Sequence, residues 1–343
     1  MPLIVHQFIP MLEPGAVGAH TLLVRAALRA AGHESEIFAT EVAPASGGEG
    51  ARDPQTYTGG ADVAIYQMAI GARLADAVGR HGERLVVNYH NLTPVRYLTG
   101  WDGGAVHGVT WGRAQLHSMA ERAALGLADS RYNEAELIDA DFGDTAVAPV
   151  LFELPANGAA PTTHADTSWL FVGRIAAHKA QHDVVKAFAA YRDAHDPHAR
   201  LTLAGGGLAS TYGRALTRFV HELDLDPWVS LPGFVADDEL AALYRAADVF
   251  VSCSDHEGFC IPLVEAMHHG VPIVAYAAGA VPETLGDAGV ALDTKDPWTI
   301  AAAVHRVLSD RVLQDALRTA GHARREDFAL ERSARTFVDA VTS

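Results

Sequence analysis

The sequence predicts an α/β protein built from two doubly wound domains in tandem, and three observations predict it. Short β-branched runs alternate with amphipathic helical stretches from end to end, the signature of parallel sheets covered by helices. The alternation stops once, at "ELPANGAAPTTHADTS" (153–168), a stretch rich in Pro, Ala and Thr that carries no periodicity and reads as an interdomain linker. Finally, 343 residues with 49% hydrophobic content suffice for two ordinary cores.

The opening "MPLIVHQFIP" lacks a basic start and a long apolar run, so it reads as a first buried strand rather than a signal peptide. "SEIFA", "DVAIYQM", "RLVVNYH" and "TAVAPVLF" follow as strands. Between them, "AHTLLVRAALRAAG", "GARLADAVGRHG" and "WGRAQLHSMAERAALGLA" repeat apolar residues at helical spacing. After the linker, "SWLFVGRI", "ARLTLAGGG", "WVSLPGF", "DVFVSCS" and "VPIVAYAAG" read as a second set of strands. Their helices are "AQHDVVKAFAAYRDAH", "YGRALTRFVHELDL", "DDELAALYRAA" and "PLVEAMHHG", and the chain is mostly helical from 297 to 343. The expected domains are 1–155 and 165–320, with 321–343 as a helix packing back toward the first domain.

A formal net charge of −16 without a basic run argues against a nucleic-acid partner. No apolar run reaches membrane-spanning length, and the expected protein is cytoplasmic without a firm membrane anchor. Cys253 and Cys260 fall around one loop and read as small core or loop residues, not a disulfide framework.

Doubly wound domains bind ligands at the carboxyl ends of their strands, so the expected site is a cleft between the two domains, built from strand-to-helix loops. The first such loop, "MLEPGAVGAH", sets Gly15 and Gly18 before a helix, where amides and the positive helix end suit an anion. It lacks the spacing of a nicotinamide dinucleotide fingerprint. A second, "GRIAAHKAQH", offers Arg174 and Lys179 beyond a strand end, a fork and an ammonium fit to clamp a diphosphate. His178 and His182 there have metal-compatible spacing without a third ligand and read as surface histidines. In the third, "HEGFCIPLVEAMHHG", Glu257 stands on the loop and Glu265 in the first turn of the helix begun at Pro262. The amides of Gly258, Phe259, Cys260 and Ile261 lie between them, and a carboxylate in such a place accepts bonds from sugar or ribose hydroxyls.

"VGRIAAHK", the long run from "LPGFVADDEL" to "AAGAVPETL" and the early Gly-rich loop together resemble the retaining GT-B glycosyltransferases of the "group 1" class, which use nucleotide-diphosphate sugars. The hallmark of that class is two glutamates with seven residues between them, the spacing of Glu257 and Glu265. The resemblance implies two Rossmann-like domains and a nucleotide-diphosphate-sugar donor with a hydroxyl acceptor. It implies no separate cofactor and no metal. It places Arg174, Lys179 and Gly18 on the donor diphosphate, Glu257 on the transferred sugar and Glu265 on the ribose. Gly258, Phe259, Cys260 and Ile261 would meet sugar and phosphates, and His90 would face the donor sugar from the first domain. Gly205 and Val235 would border the base, uridine and guanosine both fitting, while "LTGWDGGAVHGVTWG" would serve the acceptor. The class usually has glycine where Ala180 and Cys260 stand. A nucleotide-sugar epimerase or hydrolase and a non-catalytic nucleotide-sugar-binding module share the architecture and stay open as alternatives.

Overall fold

The computed structural model describes residues 1–44, 50–154 and 166–343. Most of the linker read at 153–168 therefore lies outside the described residues. The described chain divides into two compact units: 1–96, 103–153 and 328–343 form one, and 97–102 with 154–327 the other.

In the first unit six parallel strands lie in the order β2-β1-β3-β4-β5-β6. They are β1 (Val5–Leu12), β2 (Ile37–Val42), β3 (Val63–Met68), β4 (Arg84–Tyr89), β5 (Leu125–Ala128) and β6 (Thr145–Val147). Every residue of β3 is buried, as a central parallel strand covered on both faces requires. Four helices connect them: α1 (Ala16–Ala30), α2 (Arg73–Ala77), α3 (Gly103–Ala120) and α4 (Arg131–Asp139). A C-terminal helix, Leu330–Thr342, closes this unit by setting Phe337 and Val341 against Val24, Leu28 and Val86.

The stretch "LGLA" is a strand here, not the tail of a helix as its sequence suggests. The helix α3 ends at Ala120, and the Arg122 guanidinium donates to the carbonyls of Ala75 and Val78. That holds the turn, and Leu125–Ala128 is then buried between β4 and β6. A four-residue strand buried on both faces has no alternation by which sequence could separate it from a buried helical turn.

The second unit holds six parallel strands in the order β12-β11-β10-β7-β8-β9. These are β7 (Ser168–Val172), β8 (Arg200–Ala204), β9 (Val229–Gly233), β10 (Val249–Ser252), β11 (Ile273–Tyr276) and β12 (Val290–Leu292). Its helices are α5 (Gln181–Ala194), α6 (Thr211–Glu222), α7 (Asp237–Ala246), α8 (Ile261–His268), α9 (Val281–Leu285), α10 (Pro297–Ser309) and α11 (Arg311–Arg325); the C-terminal helix of the first unit is α12. Trp169, fully buried, anchors the core against Phe188 and Tyr191.

The chain builds β7, β8 and β9 outward in one direction, then returns to lay β10 on the other side of β7. That is the strand order of nucleotide-binding doubly wound sheets, and it opens a crevice at the carboxyl ends of the two strands where the order reverses. The loops after β7 and β10 contain Arg174, Lys179 and Glu257.

Candidate functional site

Lys179 and Glu257, 78 residues apart in sequence, meet at the reversal point. The Lys179 Nζ donates to both Glu257 oxygens at 2.7 Å, and the Glu257 side chain is only 7% exposed. Lys179 closes a short 3-10 turn, Ala177–Lys179, after which Ala180 adopts the left-handed conformation (φ 48°, ψ 40°) and opens α5. Cys260 does the same (φ 75°, ψ 65°) at the start of α8. For a residue with a β-carbon that geometry costs about 1–2 kcal/mol, which is why glycine is expected at both positions. The backbone shape survives the substitutions. Cys260 is buried in the cluster that contains Tyr244, Phe250 and Leu263, and burial pushes its thiol well above the usual range.

The Glu257 loop is pinned from three sides. Asp255 N donates to the His178 carbonyl at 2.7 Å, Ala280 N to the Glu257 carbonyl at 2.9 Å, and Thr284 Oγ1 to the Phe259 carbonyl at 2.6 Å. Gly279, at φ +57°, passes so close that a β-carbon there would lie 2.4 Å from the Glu257 carbonyl oxygen. Lys295 reinforces the loop through Asp255 and through Asp183 at the start of α5.

Arg174 is exposed, and its carbonyl accepts a bond from Gln181 Nε2 at 2.9 Å. His178, read as a surface group, is instead buried at 5% exposure; the 3-10 turn rotates it inward, off the helical spacing assumed for it. Burial and then the charges of Lys179 and Arg174 hold its pKa down at about 2, so it is neutral. Its Nδ1 and the Gln181 Oε1 are buried without a hydrogen-bond partner. His182 is partly exposed and faces the Tyr212 hydroxyl at 2.9 Å.

Three glycines shape the neighbouring strand ends. Gly205 (φ +149°) lies where a β-carbon would be 2.0 Å from the Gly173 carbonyl oxygen, and its amide donates to Gly233 at 2.8 Å. Val235 follows β9 two residues later, partly buried, beside an exposed Phe234 (78%). Gly258 and Phe259 precede Cys260, and Ile261 is the first residue of α8. Glu265 stands in the second turn of α8, not the first, because the helix begins at Ile261. Its Oε2 accepts the Tyr244 hydroxyl at 2.7 Å, and burial pushes its carboxyl up.

Within the first unit, Gly18 sits in the first turn of α1, where a β-carbon would lie 2.0 Å from the Glu13 carbonyl oxygen. Its own loop therefore demands glycine. The His90 ring is 2% exposed, with Nδ1 2.9 Å from Asp129 and Nε2 2.7 Å from Gln67. Gln67 in turn donates to Gln7 at 2.8 Å, and Gln7 donates to the Thr21 carbonyl, so a buried polar row fixes this ring.

Among the described residues no group of three or more His, Cys, Asp or Glu could hold a metal ion, and no helix is long and apolar enough to cross a membrane. Tyr244, Gly279, Thr284 and Lys295 were not singled out from sequence. Only Gly279 left a signal, a glycine just beyond a strand.

The family profile described as "Glycosyl transferases group 1" matches residues 161–324. The O-antigen chain mannosyltransferase B of Escherichia coli is 34% identical over 125 residues, covering 36% of this chain and 33% of that protein. A GDP-mannose-dependent alpha-(1-6)-phosphatidylinositol monomannoside mannosyltransferase of Mycobacterium tuberculosis is 33% identical over 159 residues, covering 44% of this chain and 40% of that protein. This chain spans about a third of the length of the first curated relatives it matches. Sucrose-phosphate synthase from Thermosynechococcus elongatus shares the fold with a TM-score of 0.79 at 20% identity, covering 98% of each chain. Anabaena Alr3699/HepE, solved in complex with UDP and glucose, gives a TM-score of 0.73 at 18% identity over 99% of this chain and 100% of that one.

Proposed function

We propose that this chain, which belongs to the group 1 glycosyl transferases through residues 161–324, transfers a sugar from a nucleotide-diphosphate sugar to a hydroxyl acceptor. The observation that carries this reading is the meeting of Lys179 and Glu257 at the strand-order reversal of the second unit, inside the matched region. A cation is thereby poised where a diphosphate would arrive, and a carboxylate where sugar hydroxyls would.

Departure of a nucleoside diphosphate develops negative charge on a phosphate oxygen and positive character on the sugar ring, and fixed charges stabilise both. Arg174 and Lys179 take up the phosphate charge. The acceptor hydroxyl attacks C1 from the face the phosphate leaves, so the new bond replaces the C1–phosphate bond with retention, and the hydroxyl proton passes to the departing phosphate oxygen. Glu257, with both oxygens engaged by Lys179, suits a role in holding the sugar better than one as covalent nucleophile. Glu265 holds the ribose and the Gly205 and Val235 edges border the base. No metal is assigned a part. The protein is read as cytoplasmic, and the first unit as the source of acceptor recognition.

The test is nucleoside diphosphate release from UDP- and GDP-hexoses with a panel of sugar and polyol acceptors, without added metal, followed by proton NMR of the product. A new glycoside with the donor's anomeric coupling is the expected result. Free sugar alone, or an epimerised donor without any acceptor product, would replace this reading with a hydrolase or an epimerase.

A further inference from the structure

We infer that Tyr244 is the positioning residue for Glu265, setting the carboxylate that receives the nucleotide's ribose; this deepens the function proposed above and rests on it. Tyr244 lies on α7, 21 residues before Glu265 on α8, and its ring is fully buried. The hydroxyl reaches Glu265 Oε2 at 2.7 Å and the Pro262 carbonyl at 3.3 Å, so one hydroxyl ties the acid to the first turn of its own helix. The ring cannot swing away. It stacks on His269 with centroids 5.4 Å apart and on Phe250 at 6.2 Å.

A ribose diol presents two donors, and a carboxylate accepts both only if one rotamer is held with its oxygens turned outward. A buried phenol bonded to Oε2 fixes that rotamer and still leaves lone pairs on both oxygens for the ligand. The same bond favours the charged acid. Burial and Asp237 of α7 push the Glu265 carboxyl up, and the Tyr244 hydroxyl pulls it back down. Cys260, the other titratable group coupled to it, is kept a neutral thiol by burial, and His269 behind the ring is held at about 4, so neither supplies charge at neutral pH.

The test uses Tyr244→Phe in the whole chain, with dissociation constants for UDP, GDP and their 2'-deoxy analogues by calorimetry. Ring packing is kept and only the hydroxyl is lost, so the preference for ribo over 2'-deoxy nucleotide should fall about tenfold, the size expected for one hydrogen bond to a charged group. Binding of the 2'-deoxy nucleotide, which keeps only the 3'-hydroxyl on Glu265, should weaken less than ribonucleotide binding. Removing a bond that lowers the Glu265 pKa also means that ribonucleotide binding, lost as acid protonates the carboxylate, is lost at higher pH in the variant than in the wild type. Equal weakening of ribo and deoxy ligands, or an unchanged preference and pH profile, would overturn the inference. Glu265→Gln separates the two layers: if it leaves the ribose preference intact, the role of Glu265 fails. If it abolishes the preference and Tyr244→Phe does not, only the role of Tyr244 fails.

Discussion

On the proposed function, replacing Lys179 by Ala should lower turnover by about 10²–10³-fold, the loss expected when one fixed charge facing a developing anion is removed. The same change strands Glu257, a nearly buried carboxylate whose two oxygens both contact that ammonium. Because Lys179 keeps about a fifth of its side chain exposed, the stability cost should be about 2–3 kcal/mol, less than the about 3–5 kcal/mol of breaking a fully buried pair. Adding Glu257→Gln removes the stranded charge. The double variant should therefore recover most of the lost stability in urea titration and none of the turnover. If turnover returned together with stability, the pair would be a structural brace and Lys179 would have no part in the chemistry.

Gly279→Ala should cost about 2–5 kcal/mol, the sum of a left-handed β-carbon and a forced backbone shift. The position sits at φ +57° with a would-be β-carbon 2.4 Å from the Glu257 carbonyl oxygen. Relief requires moving the backbone that aims Glu257, and the Ala280 amide bond to that same carbonyl goes with it. Activity should fall by more than the stability loss explains, even well below the melting temperature. A variant with normal turnover at low temperature would show that the loop tolerates displacement and that its tight pinning is unrelated to the site.

Both sheets were legible because central parallel strands such as "VAIYQM" and "DVFVSCS" are near-continuous apolar runs flanked by amphipathic helices. The elements that escaped are β5 with four residues, β12 with three, α9 with five and α4 with nine. The first three span about one helical turn, too little for either periodicity to declare itself, and α4, "RYNEAELID", is mostly polar with too few apolar residues to mark a buried face. The strand-end loops bearing Arg174, Lys179 and Glu257 were legible for the same topological reason, since ligands gather where parallel strands end.

What sequence hid was orientation. A 3-10 turn and a left-handed Ala180 turn His178 inward, and no spacing rule announces either. The Tyr244 to Glu265 bond depends on how α7 and α8 pack, so neither residue names the other in the sequence. Gly18 shows the converse: the glycine was legible, but the structure gives it a reason of its own, the close Glu13 carbonyl.

The most direct test of the central claim, that the second unit binds a nucleotide-diphosphate sugar around Lys179, Glu257 and Glu265, is a thermal-shift titration with UDP, GDP, ADP and their sugar conjugates. Binding to the folded state raises its melting temperature by mass action. One nucleotide family should raise it, with the shift reduced in Lys179→Ala and in Glu265→Gln at equal ligand concentration. A folded wild-type protein whose melting temperature no nucleotide or nucleotide sugar moves, even at millimolar concentration, would contradict the claim.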